Sequence, residues 1–315
     1  MSYKTKIIDG LCGLAQARLK YFPPEHLTIL TYHSVRPLEA NYLLDDDVIS
    51  TSPTAFEEEI RFFKEYFQLI TFRDLSKYQS NGKKFPKALL IVTFDDGYRD
   101  NYTHVFPILK KYRVPATIFL SVAHVESGAS FWWNETVYYL KVLGKSTTEI
   151  KQFLRELKSV SNPERIARIK ELSKKIIDKT ILSERQSLFW QEIEEMHKEG
   201  IEFGSHTLTH PILSQLTTDQ ELDFEIKESK RMIEEKLKTP VTAFSYPIGG
   251  RGAFNQKVKD KVKEAGYEFA VTYVHGVNRL RDPQLDYFEL SRVDMDKENL
   301  SKIKSKLAWP KLFER

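Results

Sequence analysis

A single cysteine, Cys12, is all that the 315 residues contain. One thiol excludes an intrachain disulfide and any cysteine-based metal site. Charge of one sign is lacking too: 48 basic against 44 acidic residues leave a net +4. That excess is too small to argue for nucleic acid, and no basic cluster is interleaved with aromatics. No window has the length and apolarity of a membrane span. The stretch from Met1 to Leu11 has no apolar core of the kind a secretory signal carries, so the chain is expected to be cytoplasmic. No internal repeat is present. Hydrophobic content of 41% and charged content of 29% are those of an ordinary globular protein, long enough for one large α/β domain or two smaller ones.

What is there is organised around Leu89-Leu90-Ile91-Val92-Thr93-Phe94-Asp95-Asp96-Gly97-Tyr98. An apolar, β-branched run ending at two carboxylates and a glycine reads as a buried strand of a parallel sheet. Its acids then lie at the strand's C-terminal end, where parallel α/β folds place their chemistry. Two adjacent aspartates repel each other and resist desolvation unless a cation or proton compensates.

Residues 3–21 carry an apolar helical period with Lys4, Lys6, Arg18 and Lys20 between, and Pro23-Pro24 ends it. This N-terminal segment, residues 1–26, either packs on the domain or lies on a membrane surface as a peripheral contact. Leu27–His33 is the first strand. Asp45-Asp46-Asp47 is expected to be a solvated loop. A helix starts near Thr54, with Thr54 as cap and Glu57 three residues on. A short strand (68–72), a short helix (72–78) and a turn at Asn81-Gly82 precede the central strand at 88–94. A helix over 102–112 must accommodate Pro107, and 116–122 is a strand, which completes a βαβ unit.

Residues 125–190 break the rhythm with helical periods at 134–143, 148–158 and 163–179, and they are read as an insertion. Strands at 201–206, 241–246, 269–273 and 289–293 then alternate with helices at 189–199, 218–236 and 255–265. Seven or eight strands without a composition break favour one closed or nearly closed β/α barrel over residues 27–296, followed by a C-terminal helix or tail at 297–315.

A partner for the aspartates lies in Gly204-Ser-His206-Thr-Leu-Thr-His210-Pro211. His206 and His210 can face one point if the backbone turns helical after His206. Two imidazoles and one carboxylate suit Zn²⁺, and also Co²⁺, Ni²⁺ or Fe²⁺. Arg292, charged and mid-strand in Glu289-Leu-Ser-Arg292-Val-Asp294, needs an acidic partner. That partner is either Asp95 or a surface carboxylate. Trp132 and Trp133 could stack on a sugar or could anchor the insertion to the barrel.

Thr93-Phe94-Asp95-Asp96-Gly97 and His206-Thr207-x-x-His210 resemble the first two motifs of the polysaccharide deacetylases, the NodB-homology family of carbohydrate esterases. The resemblance runs from about residue 27 to 295, with the motifs in order and about 110 residues apart. It implies a distorted (β/α)7-8 barrel with a helical insertion. It also implies Asp96, His206 and His210 as ligands of a divalent metal (Zn²⁺, with Co²⁺ or Ni²⁺ as alternatives) and Asp95 as general base. The family's third motif, Arg-x-Pro-Tyr-Gly, has its counterpart in Ser245-Tyr246-Pro247-Ile248-Gly249, which implies the Ile248 amide as oxyanion donor. Serine stands where the family has an arginine, and Arg292 is the candidate for its task.

Thr31-Tyr32-His33 resembles an N-terminal motif of the branch that deacetylates poly-N-acetylglucosamine, which implies His33 as catalytic acid, with His275 the alternative. Tyr98, Trp132, Trp133, Tyr246 and Pro247 complete the expected site as substrate contacts. The implied reaction is metal-dependent hydrolysis of an N-acetyl group on a sugar of a glycan or glycan precursor, releasing acetate. An amidase acting on a small non-sugar amide and a catalytically degenerate carbohydrate-binding protein are the other readings.

Overall fold

A computed structural model describes residues 13–80, 85–295, 297 and 299–310. The Asn81-Gly82 turn and the first part of the N-terminal period lie outside the described residues. Ten strands are present: β1 (Leu27–Tyr32), β2 (Ser34–Val35), β3 (Ile49–Thr51), β4 (Gln68–Leu69), β5 (Leu89–Phe94), β6 (Thr117–Leu120), β7 (Glu202–Ser205), β8 (Ala243–Ser245), β9 (Phe269–His275) and β10 (Leu290–Asp294). Seven close into a parallel barrel in the order β1-β5-β6-β7-β8-β9-β10, with β10 returning to β1. The two-residue β4 pairs on β5, and β2 with β3 forms a separate parallel pair. The protein is therefore a NodB-type (β/α) barrel of seven strands.

The strands read as continuous apolar runs because both of their faces are covered. Alternate residues go to two different cores. Leu27, Ile29, Leu89, Ile91, Phe119, Phe269 and Leu290 fill the barrel interior with Phe72 and Leu75 of the helix at Phe72–Ser80. Leu30, Tyr32, Leu90, Val92 and Phe94 instead meet the surrounding helices, among them Phe56, Ile60 and Phe63 of the helix at Pro53–Tyr66. Continued upward, the inward alternation of β5 passes through Thr93 to Asp95, and that of β10 passes from Leu290 to Arg292. Both charged residues are thereby aimed into the barrel mouth.

Local differences from the sequence reading have identifiable causes. The helix at 53–66 is capped by Ser52, whose side chain accepts the Ala55 N–H at 3.2 Å, and Pro53 occupies its first turn. A proline at that position costs no hydrogen bond, so the start falls two residues before Thr54. Pro107 likewise sits in the first turn of a helix at Phe106–Tyr112, and the irregularity is taken up by a π-turn at Asn101–Val105. Residues 13–21 are helical. Ala15 and Leu19 are buried in the main core, whereas Leu14, Tyr21 and Phe22 are exposed. No described helix is long and apolar enough to cross a membrane.

Between the helix at Val122–Ser127 and β7 come helices Trp132–Val142, Thr147–Ser159, Asn162–Ser173, Thr180–Ser183 and Trp190–Lys198. Those of the insertion bury their own apolar faces, Leu140 with Ile150 and Leu154, and Tyr139 with Leu157 and Ile169. Their second partner is the loop between β2 and β3, whose Leu44 is buried among them.

One titration couples this frame to pH. Tyr32 donates its hydroxyl hydrogen to Glu59 at 2.6 Å, and Glu59 is 1% exposed. Burial pushes this carboxyl up from 4.5 to about 7, with the bonds from Tyr32 and Thr51 opposing. A folded-state value above the unfolded one stabilises below pH 4.5, and that contribution is lost as pH rises through about 7. Glu59→Gln keeps an acceptor and removes the charge. It is expected to stabilise the protein at pH 8 by up to about 3 kcal/mol and to change little at pH 5. Urea unfolding at the two pH values measures this, and equal effects at both would contradict it.

Candidate active site

The C-terminal ends of the barrel strands carry the titratable groups. After Phe94 the chain turns through Asp96 (φ 70°) and Gly97 (φ 74°), both left-handed. A Cβ on Gly97 would stand 2.9 Å from the Leu120 side chain, so the turn needs glycine there. Asp95 thus keeps the inward direction of β5, while the turn swings Asp96 towards the neighbouring strand ends.

The histidines are brought together without the helical turn expected after His206. Residues 206–210 form an irregular loop in which Thr207 (φ 67°) and His210 (φ 59°) are left-handed. The buried Glu225 holds this loop, accepting the N–H groups of Leu208 (2.9 Å) and Thr209 (2.8 Å) and the Thr209 hydroxyl (2.5 Å). Thr207 Oγ1 accepts the His210 N–H at 3.0 Å. Of eight non-glycine residues with positive φ among the described residues, Asp96, Thr207, His210 and Ile248 lie here. Each such residue costs about 1–3 kcal/mol when strained, so the fold stores its backbone strain at this end.

Asp96 Oδ1 stands 3.5 Å from His206 Nε2 and 3.4 Å from His210 Nε2, and all three side chains are buried. Two atoms held ~2.1 Å from one tetrahedral ion lie ~3.4 Å apart, so the spacing fits a shared cation. His206 Nδ1 is 2.7 Å from the Ser245 carbonyl, which takes its hydrogen and leaves the Nε2 lone pair facing Asp96. Burial, ahead of the His206 charge, pushes the His210 imidazole well below its usual range, which keeps it neutral. Burial likewise raises the Asp96 carboxyl. Neutral imidazoles beside a carboxylate that needs a compensating charge are the chemistry of a cation site. No other group of three potential ligand residues among the described residues is close enough to hold an ion.

Asp95 meets Arg292 in a two-pronged pair. Nη1 donates to Oδ1 at 2.8 Å and Nη2 to Oδ2 at 2.6 Å, with side chains 1% and 3% exposed. The guanidinium is itself aimed by the Thr272 carbonyl (2.7 Å from Nε) and by Thr93 Oγ1 (3.2 Å from Nη1). Burial alone would raise the Asp95 carboxyl, but Arg292 outweighs it and holds the group well below the usual carboxylate range. Arg292 therefore makes no surface ion pair. Ser245, in the place of the family's arginine, reaches Asp95 only at 3.4 Å.

These groups open on a cavity of about 320 Å³. His33, Asp95, Asp96, His206, His210, Arg292, Trp132, Trp133, Tyr246 and Ile248 line it. Tyr98 and Pro247 do not. The turn at Gly97 buries Tyr98 beneath the insertion, where its hydroxyl accepts the Trp133 indole N–H at 2.7 Å. Pro247 is buried behind the turn at Ile248 (φ 63°) and Gly249 (φ 56°), where a Cβ on Gly249 would stand 2.6 Å from the Tyr273 nitrogen. His275, at the end of β9, is also absent from the lining, whereas Tyr273 two residues earlier lies in it, 5.9 Å from the His33 ring.

Asp45 is a correction. It is not solvated but 7% exposed, lines the cavity, and has a carboxyl raised by burial. Its N–H donates to Asn134 Oδ1, 89 residues away (3.1 Å), a contact without a local signal. Leu154 and Lys158 of the insertion also reach the cavity.

A parallel β/α barrel with an Asp-His-His cation site and a buried, arginine-held carboxylate at its strand ends has the architecture of a hydrolase. The polysaccharide deacetylase family model matches residues 82–270, and the chain belongs to that family of hydrolytic deacetylases. YxkH of Bacillus subtilis strain 168, which carries the name of a polysaccharide deacetylase, is 24% identical over 257 residues, 81% of this chain and 67% of that one. A poly-beta-1,6-N-acetyl-D-glucosamine N-deacetylase of Staphylococcus aureus strain MSSA476 is 34% identical over 119 residues, which span 34% of this chain and only 40% of the relative. In fold, IcaB from Ammonifex degensii superposes with a TM-score of 0.59 at 20% identity, over 90% of this chain and 96% of that one. The Streptococcus pyogenes deacetylase PplD in complex with acetate superposes with a TM-score of 0.61 at 20% identity, over 86% and 92%.

Proposed function

We propose that the chain hydrolyses the acetamide of an N-acetylated sugar, an N-acetylhexosamine within a glycan or glycan precursor, and releases acetate. Residues 27–296 act as one catalytic unit in this reading. The observation that carries it is the buried Asp95–Arg292 pair set directly beside Asp96, His206 and His210 in an aromatic-walled cavity. Asp96, His206 and His210 hold a divalent cation, Zn²⁺ first, with Co²⁺ or Ni²⁺ as alternatives. When bound, such a cation polarises an amide carbonyl and makes a water acidic.

Asp95 accepts the proton of the attacking water and, being held ionised by Arg292, is ready to do so at neutral pH. The Ile248 amide supports the oxygen that becomes negative. His33 then protonates the departing sugar amine. His33→Gln is expected to lower kcat by ~10²–10³-fold with the bound metal retained, and His275→Gln to leave kcat unchanged. The reverse order in stopped assays would exchange the two.

The function is tested by acetate release from defined N-acetylated glycans, with chelator and after return of Zn²⁺. Release that disappears with chelator and returns with Zn²⁺ supports the reading. Absence of release from every metal-loaded sample refutes it, and release from small non-sugar amides alone would favour the amidase.

A further inference from the structure

The helical insertion and the loop between β2 and β3 together make one wall of the cavity, and that wall is built rather than draped. Lys141 Nζ donates to the carbonyls of Tyr42 (2.9 Å) and Leu44 (2.8 Å). Asn134 takes the Asp45 N–H, and Lys151 pairs with Asp47 at 2.8 Å. Leu44 is sunk among Tyr138, Tyr139 and Leu157. Four independent ties between segments about ninety residues apart fix the loop, and their consequence is that Asp45 is presented to the cavity at 7% exposure. One of its oxygens already takes the Asp47 N–H at 3.0 Å, which fixes the carboxylate plane.

Trp132 lines the same wall. Its ring is backed by the guanidinium of Arg165, 5.0 Å from the centroid. Arg165 is 2% exposed and is held by Asn162 at 2.6 Å, so the indole plane cannot easily rotate. Lys158, exposed at the mouth, completes this side.

A rigid indole face beside a fixed carboxylate matches the two surfaces of a pyranose: C–H groups on its face and hydroxyl donors at its edge. Two carboxylates, Asp45 and Asp47, line this wall against the single cation of Lys158. The wall therefore suits a neutral, hydroxyl-rich ring better than an anionic one.

Resting on the deacetylase reading, we propose that the insertion and the β2–β3 loop form a subsite for a second sugar ring, neighbouring the one whose acetamide reacts. Asp45 accepts that ring's hydroxyl hydrogens and Trp132 stacks on its face. Lys141 is a positioning residue, because it acts only by clamping the loop that carries Asp45. The substrate is then a chain of at least two sugars rather than a free monosaccharide.

The test compares mono-, di- and tetrasaccharides of β-linked N-acetylhexosamine, read as kcat/KM by acetate release. It also compares their affinity for the chelator-treated protein by calorimetry, a readout that does not depend on turnover. The wild-type protein is expected to favour the tetrasaccharide over the monosaccharide in both. Asp45→Asn, which keeps an acceptor for the Asp47 N–H, should shrink that preference about tenfold or more, mainly through KM, because hydrogen bonds to a carboxylate exceed neutral ones. Lys141→Met should move the ratio in the same direction with the same melting temperature for the barrel.

An unchanged length preference in both variants, or a wild-type protein indifferent to length, overturns the subsite. Acetate release without length dependence would do so while leaving the deacetylase reading intact. Length-dependent binding without acetate release would support the subsite and refute the reaction.

Discussion

Replacing Arg292 by methionine is expected to cost about 3–5 kcal/mol of stability and to move the acid limb of the kcat/KM profile to higher pH. The size follows from what is left behind. Asp95 is 3% exposed in its side chain and takes both guanidinium prongs, and methionine fills much of the same volume while leaving the carboxylate charge buried and unpaired. Ser245 at 3.4 Å is too distant to compensate.

The sign with pH reverses between the two proteins. In the wild type the Asp95 carboxyl is depressed, so it stabilises above the unfolded value near 4 and that contribution is lost only as pH falls through the low folded value. In Arg292→Met burial acts unopposed and the carboxyl rises, so the penalty is present at high pH and is relieved as pH falls. Unfolding at pH 5 and pH 8 should therefore show the larger loss at pH 8. Arg292→Lys restores the charge without the fork and should fall between. The double variant Arg292→Met, Asp95→Asn should be more stable than the sum of its parts, since no buried charge remains to be paired. An acid limb that stays in place in Arg292→Met would show that something else sets the Asp95 charge.

That Arg292 finds Asp95 was legible from strand periodicity. Leu290 faces the interior, so Arg292 two residues on does too, and from Ile91 the same count passes through Thr93 to Asp95. A parallel barrel brings strands far apart in sequence to one mouth, and the two residues are 197 apart in the chain. The seven barrel strands were legible for a related reason: each is buried on both faces and so reads as an unbroken apolar run.

Features that rest on distant partners were not legible. Nothing within Asp45-Asp46-Asp47 separates the first aspartate from the others. Its burial comes from Asn134 and Lys141, which belong to a different segment. The left-handed backbone at Thr207 and His210 is equally hidden, because the Glu225 carboxylate that sustains it comes 16 residues after Thr209. Tyr98 misled for the opposite reason. It follows the acidic pair so closely that proximity in sequence suggested the cavity, whereas the glycine turn sends its side chain under the insertion to Trp133.

Asp95→Asn and His210→Ala are expected to abolish turnover by different routes, although the two residues lie in one cavity. Asp95 ends the inward alternation of β5 and spends both oxygens on Arg292, whereas Asp96, one residue later and left-handed, faces the two imidazoles. Asp95→Asn removes the proton acceptor but none of the three cation-holding side chains. It should lower kcat by ~10³-fold, inside the usual range for losing a general base, with one metal ion still bound per chain. It should also cost some stability, since Arg292 then keeps a neutral amide in place of its counter-charge.

His210→Ala instead removes a ligand whose backbone is already held in place by Thr207 and Glu225. Activity and metal content should fall together, and both should recover in part at high metal concentration. Elemental analysis of the purified variants beside their rates separates the two outcomes. If Asp95→Asn loses its metal as His210→Ala does, the division of labour between the neighbouring aspartates is wrong. If Asp95→Asn keeps both metal and rate, the proton must leave by another residue, and His33 on the opposite wall would be the one to change next.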